Sequence, residues 1–166
     1  MFTVVFATIF PLAVIYAAIS DLLTMTIANR VSLVLAAAFL CCALVAGLPV
    51  DQILTHAGAG LAVLALGFTL FACGWIGGGD AKFAAAITLW IGFGHLLDFL
   101  LAASIWGGLL TLALLAMRAR PLPAFALGWR WLTHLHHPRT GVPYGIALAA
   151  AALAVYPKTQ LWQAAI

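Results

Sequence analysis

From Phe83 to Met117 the chain runs through 35 residues in which Asp98 is the single formally charged side chain. A helix in water needs a polar outer face, and a stretch this uniformly apolar has none to offer. Its solvent must be lipid or other protein. The same holds for residues 2–20, 31–50, 53–76 and 142–157, which carry no Asp, Glu, Lys or Arg. Only 7% of the 166 residues are charged, against about 25% in soluble domains, and the mean hydropathy is +1.19. These features predict an all-α, polytopic integral membrane protein folded as a single membrane-embedded domain over residues 1–166.

Crossing about 30 Å of hydrocarbon takes about 20 helical residues. The four shorter runs each suit one crossing. The run 83–117 is too long for one and should fold back near Gly92–Asp98. The expectation is six transmembrane helices, the fourth of them short. The N-terminal run has no Lys or Arg before Arg30 and is longer than the apolar region of a secretory signal, so it reads as a retained first span.

The basic residues give an orientation. Arg30 lies in the first connection, Lys82 in the third, and Arg118, Arg120, Arg130 and Arg139 in the fifth, about 118–141; the opposite side holds only Lys158. The positive-inside rule then makes the odd connections cytoplasmic and leaves both termini outside. The net charge of +3 does not suggest nucleic acid, because the basic residues are few and scattered between apolar runs. In the fifth connection, Pro121 and Pro123 end a helix and Trp129, Arg130 and Trp131 suit the headgroup layer, which predicts a cytoplasmic interfacial segment.

Four Asp and no Glu make up the acidic inventory. Asp51 and Asp98 fall in predicted outside turns, where water solvates them. Asp21 and Asp80 each stand at the cytoplasmic boundary of an apolar run, and an ionisable group there is a functional candidate by default. Two spans separate them, and an even number of crossings returns the chain to one face. Both carboxylates are therefore expected at similar depth, able to meet if the first and fourth helices pack together. Two such groups side by side share a proton and can serve as acid and base in peptide hydrolysis. Intramembrane Asp residues also carry protons or cations in small transporters, and topology alone does not separate the two readings. A non-catalytic membrane scaffold is a third. Transporters usually echo their broken helices in a second half, and no second half here repeats residues 77–82.

Asp80 sits in Gly77-Gly78-Gly79-Asp80-Ala81-Lys82. Three consecutive glycines are costly in a helix and make sense where backbone must bend or lie close to another chain. The plain alternative is a flexible turn; a phosphate loop would need a Lys-Ser/Thr ending that is missing. Cys41, Cys42 and Cys73 show no CxxC spacing and read as small packing residues, so neither zinc nor a disulfide framework is expected. His134, His136 and His137 lack a neighbouring carboxylate or Cys to complete a metal set.

The Gly77–Asp80 stretch resembles the GxGD signature of the type IV prepilin peptidases. Ala81-Lys82-Phe83 is similar to the residues after the Asp in that family. Ser20-Asp21 with Asn29 eight residues after the Asp resembles its first motif, and Val142-Pro143-Tyr144-Gly145-Ile146-Ala147 its third. The resemblance implies an aspartyl endopeptidase in a bacterial inner membrane with Asp21 and Asp80 as the catalytic dyad and no cofactor. The implied substrate is a prepilin whose short basic leader is cut on the cytoplasmic side, just before its hydrophobic helix. Short members serve Flp/Tad pili, so pilus assembly machinery is a potential partner beside the lipid bilayer.

The resemblance further offers Gly77, Gly78, Gly79, Lys82, Asn29, Tyr144 and Gly145 as substrate-binding residues. Each has a plainer reading: Lys82 as a snorkelling boundary cation, Asn29 as a cap for the second helix, Tyr144 as an interfacial aromatic. Ala28 stands where many relatives have Pro, which bears on loop stiffness. The Cys-tetrad region of bifunctional relatives is not found here, and methyltransferase activity is not carried over.

Overall fold

The computed structural model describes residues 2–163, the side chains of residues 2–7 and of residue 124 excepted. Among the described residues every regular element is helical. The order is α1 (Phe2–Thr24), α2 (Asn29–Val45), α3 (Val50–Ala72), α4 (Gly78–Ile91), α5 (Leu96–Arg118), the short α6 (Arg130–His136), α7 (Tyr144–Val155) and the single turn α8 (Gln160–Gln163). Two of these, α3 and α5 with the turn that leads into it, are long and apolar enough to cross a membrane. The expected exterior placement of both termini concerns Met1 and residues 164–166, which lie outside the described residues.

The helix ends differ from the sequence expectation by a few residues, for local reasons. The third helix stops at Ala72, short of residue 76, because Gly74 turns left-handed (φ 75°). The N–H of Trp75 then returns to the Leu70 carbonyl at 3.0 Å and that of Gly74 to Phe71 at 2.9 Å, the paired bonds that close a helix C-terminus. Gly47 (φ 68°) ends α2 in the same way before Pro49. The first helix runs on to Thr24, which puts Asp21 in its last turn. Met25, left-handed at φ 55°, then turns the chain toward α2.

The long apolar run does fold back as expected. Gly92 (φ 68°) ends α4, and a 3-10 turn, Phe93–His95, leads into α5. Asp51 and Asp98 occupy the first turns of α3 and α5 and are exposed, with His95 Nδ1 3.6 Å from Asp98 Oδ2. His56 of α3 donates from Nδ1 to the Leu89 carbonyl at 2.7 Å, near the end of α4. A carbonyl only accepts, so Nδ1 carries the proton. The ring supplies a donor to a helix end that lacks an internal one.

Packing is paired. The third helix lies mainly on α4, α5 mainly on α7, and both α2 and α7 pack on α1 and on α4. The first and fourth helices are thus joined largely through α2 and α7, and meet directly at Phe10 and Trp90, whose ring centroids lie 5.2 Å apart. Tyr156 and Phe39 complete this aromatic cluster, and the Trp90 indole donates to the Leu35 carbonyl at 2.9 Å. Phe10 precedes Asp21 by 11 residues and Trp90 follows Asp80 by 10. At 1.5 Å per residue those are rises of about 16 and 15 Å. Because α1 and α4 run antiparallel from the aromatic cluster, both carboxylates arrive at the same level.

In the fifth connection a 3-10 turn, Ala124–Gly128, precedes α6. Phe125, Leu127 and Trp129 are exposed, and Trp129 stacks on Trp131 at 6.2 Å. Arg118 is a staple here: Nε donates to the Leu135 carbonyl at 3.0 Å and a terminal nitrogen to that of Gly141 at 2.9 Å. That holds the connection against the end of α5 and delivers the chain to the start of α7.

Candidate active site

Each of the two inner carboxylates is held at the start of a helix. Asp80 is the third residue of α4, and its carboxylate accepts the backbone N–H of Gly77, the residue that caps the helix. A side chain at that position reaching back to the cap satisfies one donor that a helix start leaves open. Asp21 does the equivalent for another helix. The N–H of Gly145, in the first turn of α7, donates to Asp21 Oδ2 at 2.7 Å. Pro143 precedes α7 and brings neither an N–H nor a capping side chain, so the cap comes from α1. The positive end of each helix dipole faces a carboxylate.

The two carboxylates interact electrostatically. The backbone between them is tightly fitted. Asp21 is 5% exposed. A Cβ at Gly145 would lie 2.8 Å from Asp21 Oδ2 and 2.7 Å from Ile27 Cδ1. Gly79 approaches Ile27 from the α4 side, where a Cβ would be 3.5 Å from its carbonyl oxygen. Ile27 thus fills the gap between the glycine-rich start of α4 and the start of α7. Its loop is tied down by Ser20 Oγ, which donates to the Thr26 carbonyl at 3.0 Å, and by the Thr24 and Thr26 hydroxyls, which lie 2.8 Å apart.

Asp80 also forms part of the wall of a cleft of about 780 Å³. The cleft opens between α3 and α5, with Gly67 and Leu70 on one side, Ala103 and Ser104 on the other, and Ala84 of α4 and Tyr144 of α7 along its floor. Gly77 lines it and Gly78 is backed by the Phe71 ring, at 3.3 Å from a Cβ placed there. Asp21 is buried and does not reach the cleft surface.

Of the residues singled out in the sequence, Asp21, Asp80, Gly77, Gly78, Gly79, Tyr144 and Gly145 come together here. Lys82 and Asn29 do not join them. Two residues on from Asp80 a helix has turned about 200°, and Lys82 leaves on the opposite face of α4, where its Nζ donates to Asn29 Oδ1 at 3.0 Å. Asn29 is the first residue of α2, whose cap is Ala28 with no side-chain bond. One further contributor has no sequence signal beyond a Gly-Gly pair in an apolar run. Gly107 of α5 lets the Tyr144 phenol lie against the helix backbone, and a Cβ there would collide with the ring.

An all-helical protein with two carboxylates at helix starts beside an apolar cleft is compatible with a membrane-embedded enzyme. Residues 8–112 match the model of the type IV leader peptidase family, and the chain belongs to that family. The family is membrane-embedded, and membership implies a peptidase acting on prepilins. The matched span contains Asp21 and Asp80; Tyr144 and Gly145 lie beyond it. No curated protein and no solved structure matches the chain.

Proposed function

We propose that the protein is an intramembrane aspartyl endopeptidase. It removes the basic leader from type IV prepilins, of the Flp type, at the cytoplasmic face of the inner membrane. The observation that carries this reading is the pair of interacting carboxylates, Asp21 and Asp80, each held by the open N–H of a helix start, with Asp80 on the wall of an apolar cleft.

One carboxyl holds a proton while the other is charged, because the negative charge of one disfavours ionisation of the other. The charged carboxylate takes a proton from water as that water attacks the scissile carbonyl. The protonated carboxyl hydrogen-bonds the carbonyl oxygen on which charge develops. The tetrahedral intermediate then collapses with a proton delivered to the leaving amine. The helix-start N–H groups keep both carboxyls oriented without occupying all of their oxygens.

Gly77 lines the cleft beside Asp80, where a substrate backbone would lie, Gly78 and Gly79 let the start of α4 pack closely on Phe71 and Ile27, and Tyr144 lies along the cleft floor. Asp21 is buried, so its engagement calls for the loop around Ile27 or the start of α7 to open when substrate enters. The chain acts as one membrane domain, with its odd-numbered connections cytoplasmic. The test is co-expression of the wild-type chain with a Flp-type prepilin from the same genome, followed by N-terminal sequencing of the product. A single new terminus at the junction between leader and apolar segment supports the reading. An intact prepilin in cells where both proteins are inserted in the membrane contradicts it and makes ion flux the next assay.

A further inference from the structure

The α4 helix separates two grooves. Asp80 and Ala84 face the cleft described above, whereas Lys82, Ala85 and Leu89 face a second groove of about 580 Å³ between α2 and α3. Polar atoms in the second groove gather at one end, on Lys82, Asn29 and Ser32. The remaining wall is aliphatic, formed by residues such as Leu33, Leu61 and Leu64 over a floor of small residues. From Lys82 to Leu89 the helix rises about 10 Å, so a cationic end leads into a long apolar channel.

The ammonium of Lys82 has three hydrogens to donate. Its partner is the neutral Asn29 Oδ1, and among the described residues no carboxylate pairs with it; the ion pair formed there is His95–Asp98. The end of the groove therefore offers positive charge and free donors, and the rest offers apolar surface. A ligand complementary to both carries one anionic group on an aliphatic chain about as long as the groove. A peptide in this groove would lie on the side of α4 away from Asp80.

We propose that the second groove binds an anionic phospholipid, its phosphate on Lys82 and one acyl chain along α4 between α2 and α3. The phosphate adds a charged partner to the Lys82–Asn29 link, which joins the start of α2 to α4 two residues after Asp80. The lipid thus braces the helix that carries one of the two carboxylates without entering the cleft.

The test is native mass spectrometry of the full chain equilibrated in micelles with equal amounts of phosphatidylglycerol and phosphatidylcholine of the same acyl composition. Wild type should retain one phosphatidylglycerol in about fivefold preference to phosphatidylcholine, the scale of one lysine against an anionic headgroup. Lys82→Arg should keep that preference and Lys82→Ala should lose it. Ala36→Phe, which fills the apolar part and leaves Lys82 in place, should lose the retained lipid. Equal retention of both lipids by wild type overturns the proposal, and so does an unchanged preference in folded Lys82→Ala. A preference surviving Ala36→Phe would overturn the acyl-chain assignment, leaving headgroup adsorption alone.

Discussion

The backbone N–H of Gly145 donates to Asp21 Oδ2 across 2.7 Å, so a carboxylate near the end of the first helix caps the start of the seventh. The bond joins residues 124 positions apart. It gives Asp21 a structural role beside the catalytic one proposed for it, and it makes glycine the residue required at 145.

Gly145→Ala should therefore damage both fold and activity. Its methyl group would press on Asp21 and on Ile27, and overpacking of this kind costs about 1–3 kcal/mol. Thermal unfolding in detergent should show a lower midpoint, and cleavage should fall further than the folded fraction does. A variant with wild-type melting and wild-type cleavage would mean that the cap carries neither role.

Gly107→Ala tests the seat of Tyr144. The added Cβ forces the phenol off α5 and into the cleft floor. Cleavage should drop at least tenfold, corresponding to about 1.4 kcal/mol. Combining it with Tyr144→Ala, which removes the ring, should restore part of what Gly107→Ala loses. Losses that simply add in the double variant would separate the two residues.

His56→Ala removes the donor that satisfies Leu89 near the end of α4. A fully buried carbonyl left without a partner costs about 1–3 kcal/mol, and this half-buried one should cost toward the lower end. Stability should fall while cleavage by the folded protein stays close to wild type, since Leu89 lies nine residues along α4 from Asp80. Unfolding curves beside initial rates make the comparison.

The orientation can be checked with single cysteines placed at Asp51 and at Arg139 in a chain freed of Cys41, Cys42 and Cys73. A membrane-impermeant maleimide added to intact cells should label position 51 and leave 139 untouched until the membrane is broken. The reverse pattern would put the odd connections outside.

Much of the site was legible because carboxylates are so rare in this chain. With four Asp in all, the two at apolar boundaries stood out, and counting crossings was enough to expect them on one face. The fold-back near Gly92 was legible from the length of the apolar run. What pattern could not supply was direction around each helix and contacts over long separations. Lys82 and Asn29 lie near the two carboxylates in the sequence motifs, yet the helical turn sends Lys82 to the far side of α4. The cap of α7 comes from α1, so no local signal near Tyr144 announces it. Arg118 reads in the sequence only as an orientation marker, and nothing there announces that it also holds two carbonyls of the fifth connection. Gly107 and His56 act on partners 37 and 33 residues away, distances at which composition says nothing.

If Asp21 and Asp80 act as one unit, neither carboxyl works alone. The measurement that decides this is the initial rate of prepilin cleavage by purified, lipid-reconstituted wild type, Asp21→Asn and Asp80→Asn, each confirmed as folded. Each single replacement should lower the rate by a factor on the order of 10² to 10⁴, the range for losing an acid or base. The double variant should be no worse than either. A single variant that cleaves at a rate comparable to wild type would contradict the shared role and leave that aspartate a structural one alone.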